Sequence, residues 1–170
     1  LKIWQTITAE NGQLLLKFKA TCNKETLVNF TNHCYFNLES SDTIENHLLQ
    51  VNATHYLPID EHSIPLDGPA PVANSCFDFT KPKLVKDALT QSHTQLDAAN
   101  GLDHCYVFEN DDSLHTMATL TSQQTGINLT LKSTQPGMQL YTANFVGAPF
   151  KPRQALCFEA QNWPDAPNRE

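Results

Sequence analysis

Apolar and polar residues alternate with a period of two along much of this chain. Leu14, Leu16, Phe18 and Ala20 interleave with Leu15, Lys17 and Lys19. A strand with one buried face carries that pattern, because successive side chains point to opposite sides. Asn11-Gly12 stands just before it. Such a pair accepts the positive φ angles of a tight hairpin turn, which makes residues 2–8 the partner strand. Further strands are predicted over residues 26–31, 47–52, 56–60, 105–109, 114–122, 127–134, 138–145 and 155–159, with Gln123-Gln124-Thr125-Gly126 as one turn between them. Residues 83–95 break the period: Leu84, Val85, Ala88 and Leu89 recur at helical spacing. Residues 58–82 hold five of the ten prolines and read as a long surface excursion over the sheet. Strands this frequent predict an all-β fold, an antiparallel β-sandwich or barrel, over residues 1–170 as a single domain.

Composition narrows the function. At 40% hydrophobic and 17% charged, the 170 residues can bury a core. The net charge is −7 and the only arginines are Arg153 and Arg169. A nucleic-acid partner would need a basic stripe, and a phosphosugar would want an arginine fork. The apolar runs are too short for a membrane-spanning helix, and no signal-peptide pattern opens the chain. The five cysteines are odd in number and lack C-x-x-C spacing, which argues for reduced thiols in a cytoplasmic protein. There is no phosphate loop, no Rossmann fingerprint, no nucleophile elbow and no metal-ligand spacing. Neither a cofactor nor a metal is implied.

The remaining chemistry sits in His33, Asp103, His104, Gln139 and Glu159. A histidine and a carboxylate on separate strands, each beside aromatics, could serve as acid and base to one sugar ring. On an extended strand Leu156 and Phe158 share one face, and Cys157 and Glu159 the other, so the glutamate need not enter the core. Asp103 and His104 point to opposite faces, so at most one of them meets a site directly. Taken singly, His33 also fits a structural histidine bonded to backbone beside Asn32 and Asn37. Glu159 also fits an exposed strand-end carboxylate, and Asp103-His104 fits turn chemistry after Asn100-Gly101.

Six runs, in order, resemble the galactose mutarotase (aldose 1-epimerase) family. They are residues 28–38 around Thr31-Asn32-His33, Tyr56-Leu57-Pro58-Ile59-Asp60, Phe77-Asp78-Phe79-Thr80-Lys81-Pro82, Gly101-Leu102-Asp103-His104, residues 134–145 around Gln135-Pro136-Gly137, and residues 158–168 around Phe158-Glu159-Ala160-Gln161-Asn162-Trp163-Pro164. The resemblance implies a supersandwich of which this chain is a truncated portion, without the family's first and last segments. It implies interconversion of the α and β anomers of free hexoses such as galactose and glucose, without cofactor or metal. It implies Glu159 as general base, His33 as general acid, and Asp103 and Gln139 as residues that bind the monosaccharide. The family's site also holds an arginine and another histidine upstream of the Thr-Asn-His run, and residues 1–30 contain neither. The 170-residue chain by itself is therefore expected to be weak or inactive. The competing readings are a non-catalytic sugar-binding relative, an inactive fragment, a glycosidase using Asp103 and Glu159, and a sugar-phosphate epimerase disfavoured by the scarcity of arginine.

Overall fold

In the computed structural model, which describes residues 1–169, the opening hairpin forms as its turn residues require. Strands β1 (Lys2–Glu10) and β2 (Gln13–Thr21) pair antiparallel with Glu10 opposite Gln13. Asn11 and Gly12 take φ of 50° and 72°, the two positive angles of a turn whose twist matches its strands. The register puts Ile3, Ile7, Ala9, Leu14, Leu16, Phe18 and Ala20 on one face. That face was expected to be buried, and it is not. Ile3, Ile7 and Leu14 are half exposed, and Phe18 has a stacked neighbour in Phe30, 5.6 Å away. An isolated two-stranded ribbon has nothing of its own to cover a face. The hairpin belongs to a compact unit of its own, Leu1–Phe30.

The second unit begins at Thr31 and carries the remaining elements. In chain order they are β3 (Tyr35–Phe36), β4 (Leu48–Val51), β5 (His55–Tyr56), β6 (Ala70–Pro71), β7 (Lys83–Leu84), α1 (Val85–Leu89), α2 (Thr94–Ala99), β8 (Asp103–Val107), β9 (His115–Thr121), β10 (Asn128–Ser133), β11 (Gly137–Tyr141) and β12 (Leu156–Gln161). They make a four-stranded sheet, β10-β9-β4-β7, and a six-stranded sheet, β3-β12-β11-β8-β5-β6, antiparallel throughout. Leu49, Val51, Met117 and Leu120 from the first sheet and Tyr106, Met138, Leu140, Leu156 and Phe158 from the second belong to one buried cluster. This is the all-β antiparallel sandwich that the alternation predicts.

Three expectations are corrected. Residues 26–31 form no strand. The excursion over residues 58–82 is not merely a surface loop: Ile59, Val72, Cys76, Phe77 and Phe79 are buried. Phe77 stacks on Tyr56 at 4.1 Å, and its carbonyl accepts the Tyr106 hydroxyl at 3.0 Å. The helix predicted over residues 83–95 is two helices. The first stops at Thr90, whose hydroxyl donates to the Lys86 carbonyl at 2.8 Å. The second, α2, is capped by His93, whose Nδ1 accepts the Gln95 amide at 3.2 Å. It ends at Asn100 in the left-handed region (φ 52°), followed by Gly101. A Cβ at Gly101 would lie 2.3 Å from Asn144 Oδ1, so only glycine lets the chain pass into β8 here.

Candidate active site

The register of β8, β11 and β12 decides what meets outside the core. Gln139 pairs with Glu159 across one ladder and with Cys105 across the other, while Tyr141 pairs with Asp103 and Cys157. Directly opposed residues share a face. Asp103, Gln139, Tyr141 and Glu159 therefore project together from the side away from the core. Tyr35 joins them from β3, opposite Cys157. His33 lies two residues before β3 and is not itself on a strand, contrary to the expectation of a strand-borne histidine. These residues, with Ser63, Gln161 and Pro164, line a cavity of about 440 Å³, a size that suits a small ligand.

His33 Nε2 lies 3.3 Å from Glu159 Oε1. The histidine is half exposed and the carboxylate is 11% exposed. The imidazole rests on two tyrosines, with ring centroids 5.0 Å from Tyr35 and 6.0 Å from Tyr141. Burial pushes the Glu159 carboxyl above the ordinary carboxylate range; the His33 charge pulls it back and Asp103 pushes it further up. Asp103 is raised too, again mainly by burial, against the opposing pull of Gln139 and His33. Two carboxyls crowded beside one imidazole share charge in this way. Gln139 Nε2 donates to Asp103 Oδ1 at 2.7 Å, and Gln139 Oε1 is a buried acceptor without a hydrogen-bond partner.

His104 goes the other way. It is fully buried beneath the sheet, with ring centroids 4.6 Å from Phe77 and 5.8 Å from Tyr56. Its Nδ1 accepts the Asp103 amide at 3.1 Å, and its Nε2 lies 3.2 Å from Gln95 Oε1. Burial, with a smaller push from His93, lowers its pKa to about 3. It is a neutral histidine that steadies the strand bearing Asp103.

Four of the five candidates thus converge and one does not. Tyr141 was not among the candidates, although its parity with Gln139 on β11 places it on the same face. Ser63 had no signal, and Pro164 stood inside the sixth run without being singled out: both sit in irregular backbone, where periodicity is silent. No arginine lines the cavity among the described residues. Nor, among those residues, does any cluster of three or more His, Cys, Asp and Glu side chains form that could hold a metal ion.

The family model for aldose 1-epimerase matches residues 1–170. The chain belongs to the aldose 1-epimerase family. Galactose mutarotase of Homo sapiens is 37% identical over 179 residues, covering 99% of this chain and 51% of that protein. Aldose 1-epimerase of Escherichia coli (strain K12) is 33% identical over 168 residues, covering 94% and 48%. Among solved structures, the GalM/aldose epimerase homologue from C. elegans superposes with a TM-score of 0.86 at 28% identity, covering 97% of this chain and 51% of that one. Galactose 1-epimerase from Lactobacillus acidophilus NCFM gives 0.78 at 35% identity, covering 89% and 45%. The chain spans about half the length of the curated relatives it matches. Its sandwich is therefore part of the mutarotase-type fold, as the resemblance implied.

Proposed function

We propose that this protein is a mutarotase that interconverts the α and β anomers of a free hexose such as galactose or glucose. The observation that carries the reading is the approach of His33 Nε2 to within 3.3 Å of Glu159 Oε1 in a cavity beside Asp103 and Gln139. The ring oxygen and the anomeric oxygen of a hexose are bonded to the same carbon. An acid and a base serving those two oxygens must therefore lie close together, as these groups do. Glu159 takes the proton from the anomeric hydroxyl while the bond between C1 and the ring oxygen breaks. His33 gives its proton to the ring oxygen. The open aldehyde turns about C1–C2, and closure on its other face returns both protons with roles reversed. Each group contributes about 10²–10⁴-fold.

Burial keeps Glu159 more basic than an ordinary carboxylate, which brings it nearer the operating pH of a general base. The unpartnered Gln139 Oε1 supplies an acceptor, and Asp103 a second, for sugar hydroxyls. Tyr35 and Tyr141 offer faces to the C–H side of the ring. Five free cysteines fit a reducing, cytoplasmic setting.

Polarimetry of freshly dissolved α-glucose and α-galactose tests the proposal. The protein at its full encoded length should accelerate mutarotation. Glu159→Gln should cut the rate by about 10²–10⁴-fold. The acid limb of the kcat/KM profile should fall above the ordinary glutamate value of about 4.3, because an ionised Glu159 is required. Sugar binding without acceleration would overturn the enzymatic reading and leave a sugar-binding protein. The 170-residue chain alone should be far weaker, since residues 1–30 supply neither the arginine nor the histidine that the family's site holds.

A further inference from the structure

Two irregular segments border the cavity. One is the turn from Asp60 to Ile64, whose Ser63 lines the cavity; the other follows β12, and its Pro164 lines the cavity. The turn is tightly built. The Asp60 amide donates to the Ile64 carbonyl at 2.9 Å, and Asp60 Oδ1 accepts the His62 and Ile64 amides at 2.8 and 2.9 Å. Ser63 sits in the left-handed region with φ of 63°, an arrangement that a serine holds only when its surroundings enforce it. A bridge between Ile59 and Pro65 closes the neck.

The second segment is anchored at its start by Trp163, whose Nε1 donates to the Pro136 carbonyl at 2.9 Å. At its other end Arg169 reaches across to the turn. Its Nη1 donates to the Leu66 carbonyl at 2.7 Å, its Nη2 donates to the Pro65 carbonyl, and its Nε faces Asp165 Oδ2 at 3.6 Å. A planar guanidinium can serve two carbonyls and a carboxylate at once; an ammonium cannot keep that geometry.

We propose that Arg169 is a positioning residue that locks these segments into one rim, and that Ser63 on that rim determines which hexose epimer is preferred. The sheet order supports the assignment. His33 and Tyr35 lie at the β3 edge, and the turn bearing Ser63 follows β5, beyond β8. Glu159 on β12 and Asp103 on β8 are two strand spacings apart, roughly 10 Å, a gap that a hexose fills with a hydrogen bond at each end. A sugar whose anomeric carbon meets His33 and Glu159 therefore turns its remote hydroxyls toward the rim. Ser63, at that rim, reads one of them.

The inference rests on the mutarotase reading, and the test separates the two. The probes are the 1,5-anhydrohexitols of gluco and galacto configuration, which keep the ring but lack the anomeric hydroxyl. They report binding without chemistry. Calorimetry with the full-length protein should show Ser63→Ala changing the gluco-to-galacto affinity ratio about fivefold, the loss of one hydrogen bond. Arg169→Ala should raise both Kd and KM about fivefold with kcat unchanged, and Arg169→Lys should restore only part. If Arg169→Ala fails to fold, Ser63→Ala carries the test. Wild-type mutarotation together with unaltered affinities, epimer ratio and KM in the variants would overturn the rim alone. A fall in kcat at constant KM for Arg169→Ala would also overturn it. A wild-type protein that neither binds nor mutarotates hexoses would remove the mutarotase reading, and the rim with it.

Discussion

On β11, Gln139 and Tyr141 line the cavity, while Met138 and Leu140, which alternate with them, are fully buried. On β12, Glu159 faces the cavity and its neighbour Phe158 is 2% exposed in the core. The two faces of one sheet are thus cut from adjacent residues and held to different physics. The core face gains by removing apolar area from water. The cavity face holds two carboxyls, an imidazole and an amide in partial burial, which costs stability and shifts both carboxyls upward. A substitution on one face should therefore move a different observable from a substitution one position along.

The sharpest way to break that contrast is Phe158→Ala. Its ring packs beside Phe36, with centroids 6.3 Å apart, and the replacement should cost about 3–5 kcal/mol in urea unfolding. A loss under about 1 kcal/mol would mean that this face is not the core it is taken to be.

His104 tests the exception, a titratable group on the core side. Its folded pKa, lowered to about 3 by burial, lies below its unfolded value of about 6.5. The unfolded chain therefore binds the extra proton between those values. The contribution is fully present above pH 6.5 and is lost as pH falls toward 3. Between pH 7 and 4.5 the protein should lose on the order of 2–3 kcal/mol from this group. His104→Gln, less stable at pH 7, should lose correspondingly less over the same interval. Equal losses in the two proteins would show that His104 does not titrate as a buried base.

Glu159 makes the reverse case. Its folded pKa is raised, so the folded state binds the extra proton, and stability falls as pH rises through that pKa. Glu159→Gln should thus raise thermal stability at pH 7, on the order of 1 kcal/mol, while mutarotation collapses. A drop in stability would mean that the contact with His33 outweighs the cost of burial.

The division between faces was legible because it needs only parity. Leu156 and Phe158 against Cys157 and Glu159, or Asp103 against His104, follow from a period of two. Which face is concave does not follow from parity, nor does the approach of His33, which reaches the cavity from backbone outside any strand. The Pro-rich stretch misled for a related reason. Prolines mark irregular backbone, but Phe77 and Phe79 plug the core from that backbone, and only contacts such as those of Phe77 with Tyr56 and Tyr106 reveal it. Splitting of the predicted helix turned on two local hydrogen bonds, at Thr90 and His93, which a helical period cannot register. Four site positions came through the resemblance; Pro164 lay inside its sixth run without a role there, and Ser63 came through neither route.

The smallest effect belongs to the opening hairpin, which has the same alternation as the core strands and a different fate. Ile7 is 58% exposed on a face as apolar as that of β11. Pattern alone cannot distinguish a covered strand from an uncovered one, because both alternate. Burial decides the energy. For the 170-residue chain, Ile7→Thr should shift the unfolding midpoint by no more than about 0.5 kcal/mol, as surface substitutions do, with threonine's strand propensity offsetting the lost methyls. The same substitution at full encoded length is the informative comparison. A cost there of about 1–3 kcal/mol would show that another segment covers this face, and the amphipathic register of β1 and β2 would then have been read correctly as a core-facing pattern.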